Sequence, residues 1–126
     1  MTPLVPKKPA NPLPVVKRQV KANKISFVYY DDKDKDPLQT AFFNFGWFEE
    51  DIRRALLKLN DLYHKDNREK NHFDKHEIHR KYPPSDQTYM DYYKAKKLMG
   101  NKDVYTHLHL RENNTLVIVD SFHHLD

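Results

Sequence analysis

The sequence predicts an α+β domain, and three stretches carry that prediction. Asp103–Leu125 reads as a β-hairpin: two β-rich runs flank Asn113-Asn114, residues suited to the left-handed backbone of a tight turn. Phe48–His64 repeats Ile52, Ala55, Leu56, Leu59 and Tyr63 at spacings of three and four, the period of an amphipathic helix. Lys24–Tyr30 places Ile25, Phe27 and Tyr29 at every second position, on one face of a strand.

Composition sets the frame. A chain of 126 residues suggests one domain with a modest core, and 32% charged against 38% hydrophobic residues leaves much of it at the surface. With no cysteine, a disulfide framework and a thiolate metal site are excluded. No apolar run approaches the roughly 20 residues that span a bilayer, and the start lacks the apolar stretch of a secretory signal, so a cytoplasmic protein is expected. The net charge of +4 favours a polyanion or an acidic partner, and the 8 histidines and 13% aromatic residues add groups that titrate near neutrality and rings that stack on bases.

Taken in order, Met1–Lys17 is proline-rich and basic and reads as a flexible or polyproline-like tail; residues 1–20 are assigned to it and 21–126 to the domain. After the first strand, Asp31–Pro37 reads as a charged loop. Leu38–Phe45 reads as a second strand whose Phe42, Phe43 and Phe45 enter the core. Gly46 opens a new unit, and Glu49, Glu50 and Asp51 place negative charge in the first turn of the main helix. His64–Asn71 is a polar connection. His72–Lys81 is a second helical candidate, ended by Pro83-Pro84. Asp86–Met99 suits either a helix capped by Asp86 and stopped by Gly100 or a strand leading into the hairpin.

On the first hairpin strand Val104, Thr106, Leu108 and Leu110 point one way, and Tyr105, His107 and His109 the other. Leu116–Val119 is apolar on both faces and belongs inside the sheet. A two-residue turn would set His107 opposite Asp120, whose carboxylate could orient the imidazole. Strict alternation puts His123 on the face away from Tyr105, so a bulge or the strand end must bring them together. Metal sites are weaker readings: His76-Glu-Ile-His79 is one residue short of the zincin motif, and His107 and His109 share a face without a fixed third ligand. No metal and no cofactor are assigned. Imidazoles beside a phenol and a lysine suit metal-free phosphodiester chemistry, in which a base takes the 2′-hydroxyl proton, an acid serves the leaving oxygen and a cation steadies the phosphate.

From Gly46 onward the chain resembles the MqsR-type toxins of bacterial toxin–antitoxin pairs. The resemblance lies in Gly46-Trp-Phe-Glu-Glu-Asp-Ile, in Phe73-Asp-Lys75, in Asp91-Tyr-Tyr-Lys-Ala running through Gly100 to Val104-Tyr105-Thr-His107-Leu108, and in Val117-Ile-Val-Asp-Ser121-Phe122-His123. It implies a RelE-like fold, a small antiparallel sheet packed by two or three helices. It also implies a metal-independent endoribonuclease that cuts messenger RNA and is silenced by a cognate antitoxin. Lys75 and Tyr105 match catalytic positions of the family. His123 stands where the family has its C-terminal lysine, His107 where it often has a lysine, and Met90 where it has a glutamine. The expected catalytic set is Tyr105, His107, His123 and Lys75, with His76, His109, Lys94 and Lys97 contacting RNA.

Overall fold

The computed structural model describes residues 8–27, 36–63, 67–79, 86 and 88–125. Among them the order is α1 (Leu13–Lys21), β1 (Ile25–Phe27), α2 (Pro37–Phe45), α3 (Glu49–Leu56), β2 (Phe73–Ile78), β3 (Tyr89–Met99), β4 (Lys102–Arg111) and β5 (Leu116–His124). The strands form one five-stranded sheet in the order β1-β5-β4-β3-β2. The expected antiparallel sheet is mixed: β2, β3, β4 and β5 pair antiparallel in turn, but β1 runs parallel to β5, with Ile25 opposite Val117. The α+β class holds. Among the described residues no helix is long and apolar enough to cross a membrane.

The expected flexible tail is a helix from Leu13 on. Its prolines fall where a helix tolerates them, Pro12 at the N-cap and Pro14 in the first turn, where backbone N–H groups have no intrahelical partner anyway. Leu13, Val16 and Val20, at spacings of three and four, are buried in the core. Upstream, the N–H groups of Ala10 and Asn11 each donate to the Asp91 carboxylate at 2.8 Å, fixing the entry to α1 against β3. Residues 1–7 of the tail lie outside the described residues.

Leu38–Phe45 is the helix α2, not a strand. Asp36 accepts the Leu38 N–H at 3.0 Å, Pro37 starts the first turn, and Gly46 takes the left-handed backbone (φ 74°) that closes the last. Stop and start signals at both ends outweigh the β preference of three phenylalanines. Phe42 and Phe43 are exposed, so of the expected core aromatics only Phe45 packs inward, against Trp47 and Phe122. α3 keeps the expected face, with Ile52, Ala55 and Leu56 buried, but is shorter than Phe48–His64. Lys58 and Leu59 donate instead three residues back, to Ala55 and Leu56, and this tightened turn still buries Leu59. Tyr63 is partly exposed, and His64 lies outside the described residues.

In the helical candidate His72–Lys81, Phe73–Ile78 forms β2, an edge strand, and Arg80 and Lys81 lie outside the described residues. Its charged side chains fit an open sheet edge, which they protect from further pairing. Pro83-Pro84, Tyr29 and most of Asp31–Pro37 lie outside the described residues. Of the two readings of Asp86–Met99, the strand is the one formed. Gly100 and Asn101, at φ 59° and 60°, make a two-residue turn between Met99 and Lys102, with both central residues left-handed as the twist of a hairpin demands. Glu112, Asn113 and Asn114 turn the next hairpin, also at positive φ.

Val104, Thr106, Leu108, Val117, Val119 and Phe122 lie in the buried layer toward the helices, with Tyr93 and Ala95 from β3. β4 and β5 are interior strands, as Leu116–Val119 implied. The other face of the sheet carries Lys75, Tyr92, Lys94, Tyr105, His107 and His123.

Candidate functional site

A β-bulge builds the site. Near the turn, Leu108 pairs with Val119 and Arg111 with Leu116; beyond it, His107 pairs with Ser121, so Asp120 is the extra residue on β5. The one-residue shift changes the face on which every following side chain of β5 stands. His123 therefore lies directly opposite Tyr105 rather than behind it, and His107 meets Ser121 instead of Asp120.

Register then carries a row of side chains across the sheet. Lys75 of β2 pairs with Tyr92 of β3, which pairs with His107; Lys94 pairs with Tyr105, which pairs with His123. The Tyr105 and His123 rings stack at 4.7 Å and 22°. Tyr92 and His107 stack at 4.7 Å and 28°. Tyr105 meets the His107 ring edge-on at 5.8 Å, joining the two stacks. Lys75 Nζ sits 5.0 Å from the Tyr92 centroid, a cation–π contact. The four expected catalytic residues, Tyr105, His107, His123 and Lys75, thus share one face. Lys75 reaches it from an edge strand, not from a covering helix.

Burial and bonding set their protonation. Burial pushes the Tyr105 hydroxyl up to about 12, with the carboxylates of Asp74 and Glu77 adding to it, so it is a donor at neutral pH. Burial pushes His107 down to about 4, and its buried Nδ1 has no hydrogen-bond partner among the described residues. His123 Nδ1 lies 2.8 Å from the His124 carbonyl. A carbonyl only accepts, so Nδ1 carries the hydrogen, and in the neutral ring the lone pair is on Nε2.

The expected RNA contacts divide. Lys94 is on the row, half-exposed, with Nζ 3.6 Å from Asp74. Lys75 pairs with Glu77 at 2.9 Å. Lys97 lies off the row, in the irregular stretch between Ala95 and Met99, and pairs with Glu69 at 3.3 Å. His76 stands on the opposite face, opposite Asp91, where its Nδ1 meets the Lys8 carbonyl at 3.1 Å and its ring meets Tyr89 edge-on. The helix expected there would have put Lys75 and His76 on adjoining faces; a strand puts them on opposite ones. His109 shares the face of His107 but is fully buried, so it cannot touch RNA.

Sequence reasoning missed Tyr92, which links Lys75 to His107. Its signal was present, since Asp91-Tyr92-Tyr93 alternates with the β4 pattern once β3 is read as a strand. It also missed a buried cluster beside the row. Asp120, on the bulge, accepts from His109 Nδ1 at 2.7 Å and from His79 Nε2 at 2.9 Å. The Asp120–imidazole pairing foreseen for His107 is therefore made by His109 and His79. Burial alone would raise the Asp120 carboxyl, but these two bonds outweigh it and hold it below the ordinary carboxylate range.

No protein-family model matches this chain, and no curated protein matches its sequence.

Proposed function

We propose that this chain is an RNA endonuclease of the MqsR kind on a RelE-like sheet, the toxin of a type II toxin–antitoxin pair acting in the cytoplasm. The observation that carries the reading is the bulge at Asp120, which puts His123 against Tyr105 on the face that also holds His107 and Lys75. In cleavage by this face, His123 Nε2 takes the proton from the 2′-hydroxyl, and the 2′-oxygen attacks phosphorus. Tyr105 donates at the scissile phosphate, and Lys75, with Lys94 beside it, offsets the charge that develops there. His107, stacked on Tyr92 and against the edge of Tyr105, is the second imidazole within reach. The 5′-oxygen leaves with a proton from Tyr105, giving a 2′,3′-cyclic phosphate and a 5′-hydroxyl, and exchange with water returns the proton from His123 and reprotonates Tyr105. No metal has a part in these steps. A cognate antitoxin would silence the protein by covering this face.

A non-catalytic RNA-binding module is the second reading, and the ring row favours it too, since stacked aromatics with lysines at their edges also make a platform for bases. End-labelled RNA separates the two. The nuclease reading expects fragments ending in 2′,3′-cyclic phosphate and a loss of roughly 100-fold or more in rate for Tyr105→Phe. RNA that is bound but left intact by the wild-type chain would assign the face to binding alone.

A further inference from the structure

The cluster formed by His79, His109 and Asp120 has no part in that chemistry. One ring nitrogen each from His79 and His109 and a carboxylate oxygen of Asp120 lie within 4.8 Å of one another, and His79 Nε2 and His109 Nδ1 are the nitrogens that meet the carboxylate, one at each oxygen. All three residues are buried: His109 is 0%, His79 3% and Asp120 6% exposed. They come from three separate places in the chain, the residue after β2, the turn-side end of β4 and the bulge of β5. The His79 and His109 rings lie 4.9 Å apart, edge to face, with the carboxylate bridging their nitrogens.

A carboxylate this far from water needs a compensating positive charge. Among the described residues its ion-pair partners are the two imidazoles alone. A lysine or arginine would make a simple salt bridge; two imidazoles and one carboxylate make a donor set. Imidazole nitrogen and carboxylate oxygen suit zinc and its first-row neighbours, whereas magnesium keeps oxygen ligands and several waters, which a dry site does not offer. Around a tetrahedral zinc, with these three ligands and one water in the fourth position, bonds of about 2.0–2.1 Å set neighbouring ligand atoms roughly 3.4 Å apart. The present spacings of 2.7 and 2.9 Å between imidazole and carboxylate are shorter than that value by about 0.5–0.7 Å, the opening that an inserted ion would have to make.

We propose that His79, His109 and Asp120 bind one divalent transition-metal ion, with zinc as the fitting probe, and that the ion staples β5 and β4 to the far end of β2. The bulge has two effects: it brings His123 to Tyr105, and it turns Asp120 toward this buried cluster. The site adjoins the ring row without sharing a residue with it, and its test is independent of any RNA.

The experiment loads the full chain with zinc, dialyses it against metal-free buffer, and measures retained metal by elemental analysis alongside the melting curve. The expected result is one zinc per chain and a Tm higher by roughly 5 °C or more than that of the metal-free chain. Both effects should vanish in His79→Gln and Asp120→Asn and persist in His76→Gln, which alters an exposed histidine on the opposite face. Should those variants fail to fold, cobalt in the wild-type chain decides: a buried tetrahedral site gives strong visible absorption. A folded wild-type chain that keeps no zinc and gives no such absorption would overturn the proposal, leaving Asp120 a hydrogen-bonded bridge between two imidazoles. So would zinc retention lost equally in His76→Gln.

Discussion

Single residues here are governed by what burial does to charge and hydrogen bonds. His72 is buried, with Nδ1 accepting the Asn60 N–H at 3.0 Å and Nε2 meeting the Glu69 carbonyl at 3.1 Å. That pattern fits the neutral ring, because protonating Nδ1 would destroy an acceptor. Burial, foremost, lowers its pKa in the folded chain. The unfolded chain, with histidine near 6.5, then takes up a proton that the folded one resists. Stability should therefore fall as pH drops below about 6.5, and denaturant midpoints at pH 5.5 and 7.5 should differ less in His72→Gln than in the wild type. Asp91 is a second case. Burial raises its pKa, yet it accepts from the Ala10 and Asn11 backbones and from the Asn11 side chain. Asp91→Ala would leave those donors short of partners, at a cost of about 2 kcal/mol or more, readable as a lower denaturant midpoint.

At the scale of elements, α1 is structural rather than a tail. Its Leu13, Val16 and Val20 are almost wholly buried, and burial of each side chain contributes on the order of 1.5–3 kcal/mol. Deleting residues 1–21 would remove most of the margin of a domain stable by about 5–15 kcal/mol, and a cooperative melt should be lost. The hairpin and α3 could be read from the sequence because their period and turn residues agree. α2 could be read only from its ends, Asp36-Pro37 and Gly46, since three phenylalanines in its middle suggest a strand. β2 was hidden by its charge: an edge strand with Lys75, His76 and Glu77 lacks the apolar alternation that marks interior strands. For the site, Tyr105, His107, His123 and Lys75 could be named from residue type and resemblance. The bulge that unites them could only be stated as a need, because nothing in Val119-Asp120-Ser121 specifies an extra residue. The pairing of Asp120 with His109 and His79 depends on that bulge and was beyond reach for the same reason.

Over the whole molecule, the sheet has two unlike faces. One is the apolar layer under the helices; the other bears the ring row, with Lys75 and Lys94 each next to a carboxylate. The net charge of +4 is thus not concentrated at the site. RNA binding there should lean on stacking more than on phosphate neutralisation. For a single strand each phosphate contact contributes about −0.7 to the slope of log K against log salt, so two lysines predict a slope of roughly −1 to −2. A titration of a non-cleavable 2′-O-methyl RNA across salt concentrations checks this, and Tyr92→Ala should weaken binding by about 1–3 kcal/mol with little change in slope.

The placement of His123 against Tyr105, with His76 on the reverse face, is tested most directly by the single-turnover cleavage rate of His123→Ala beside that of His76→Ala on one RNA. A loss of about 100-fold or more is expected for His123→Ala and a change within about twofold for His76→Ala. Equal losses in both variants, or full activity in His123→Ala, would contradict it.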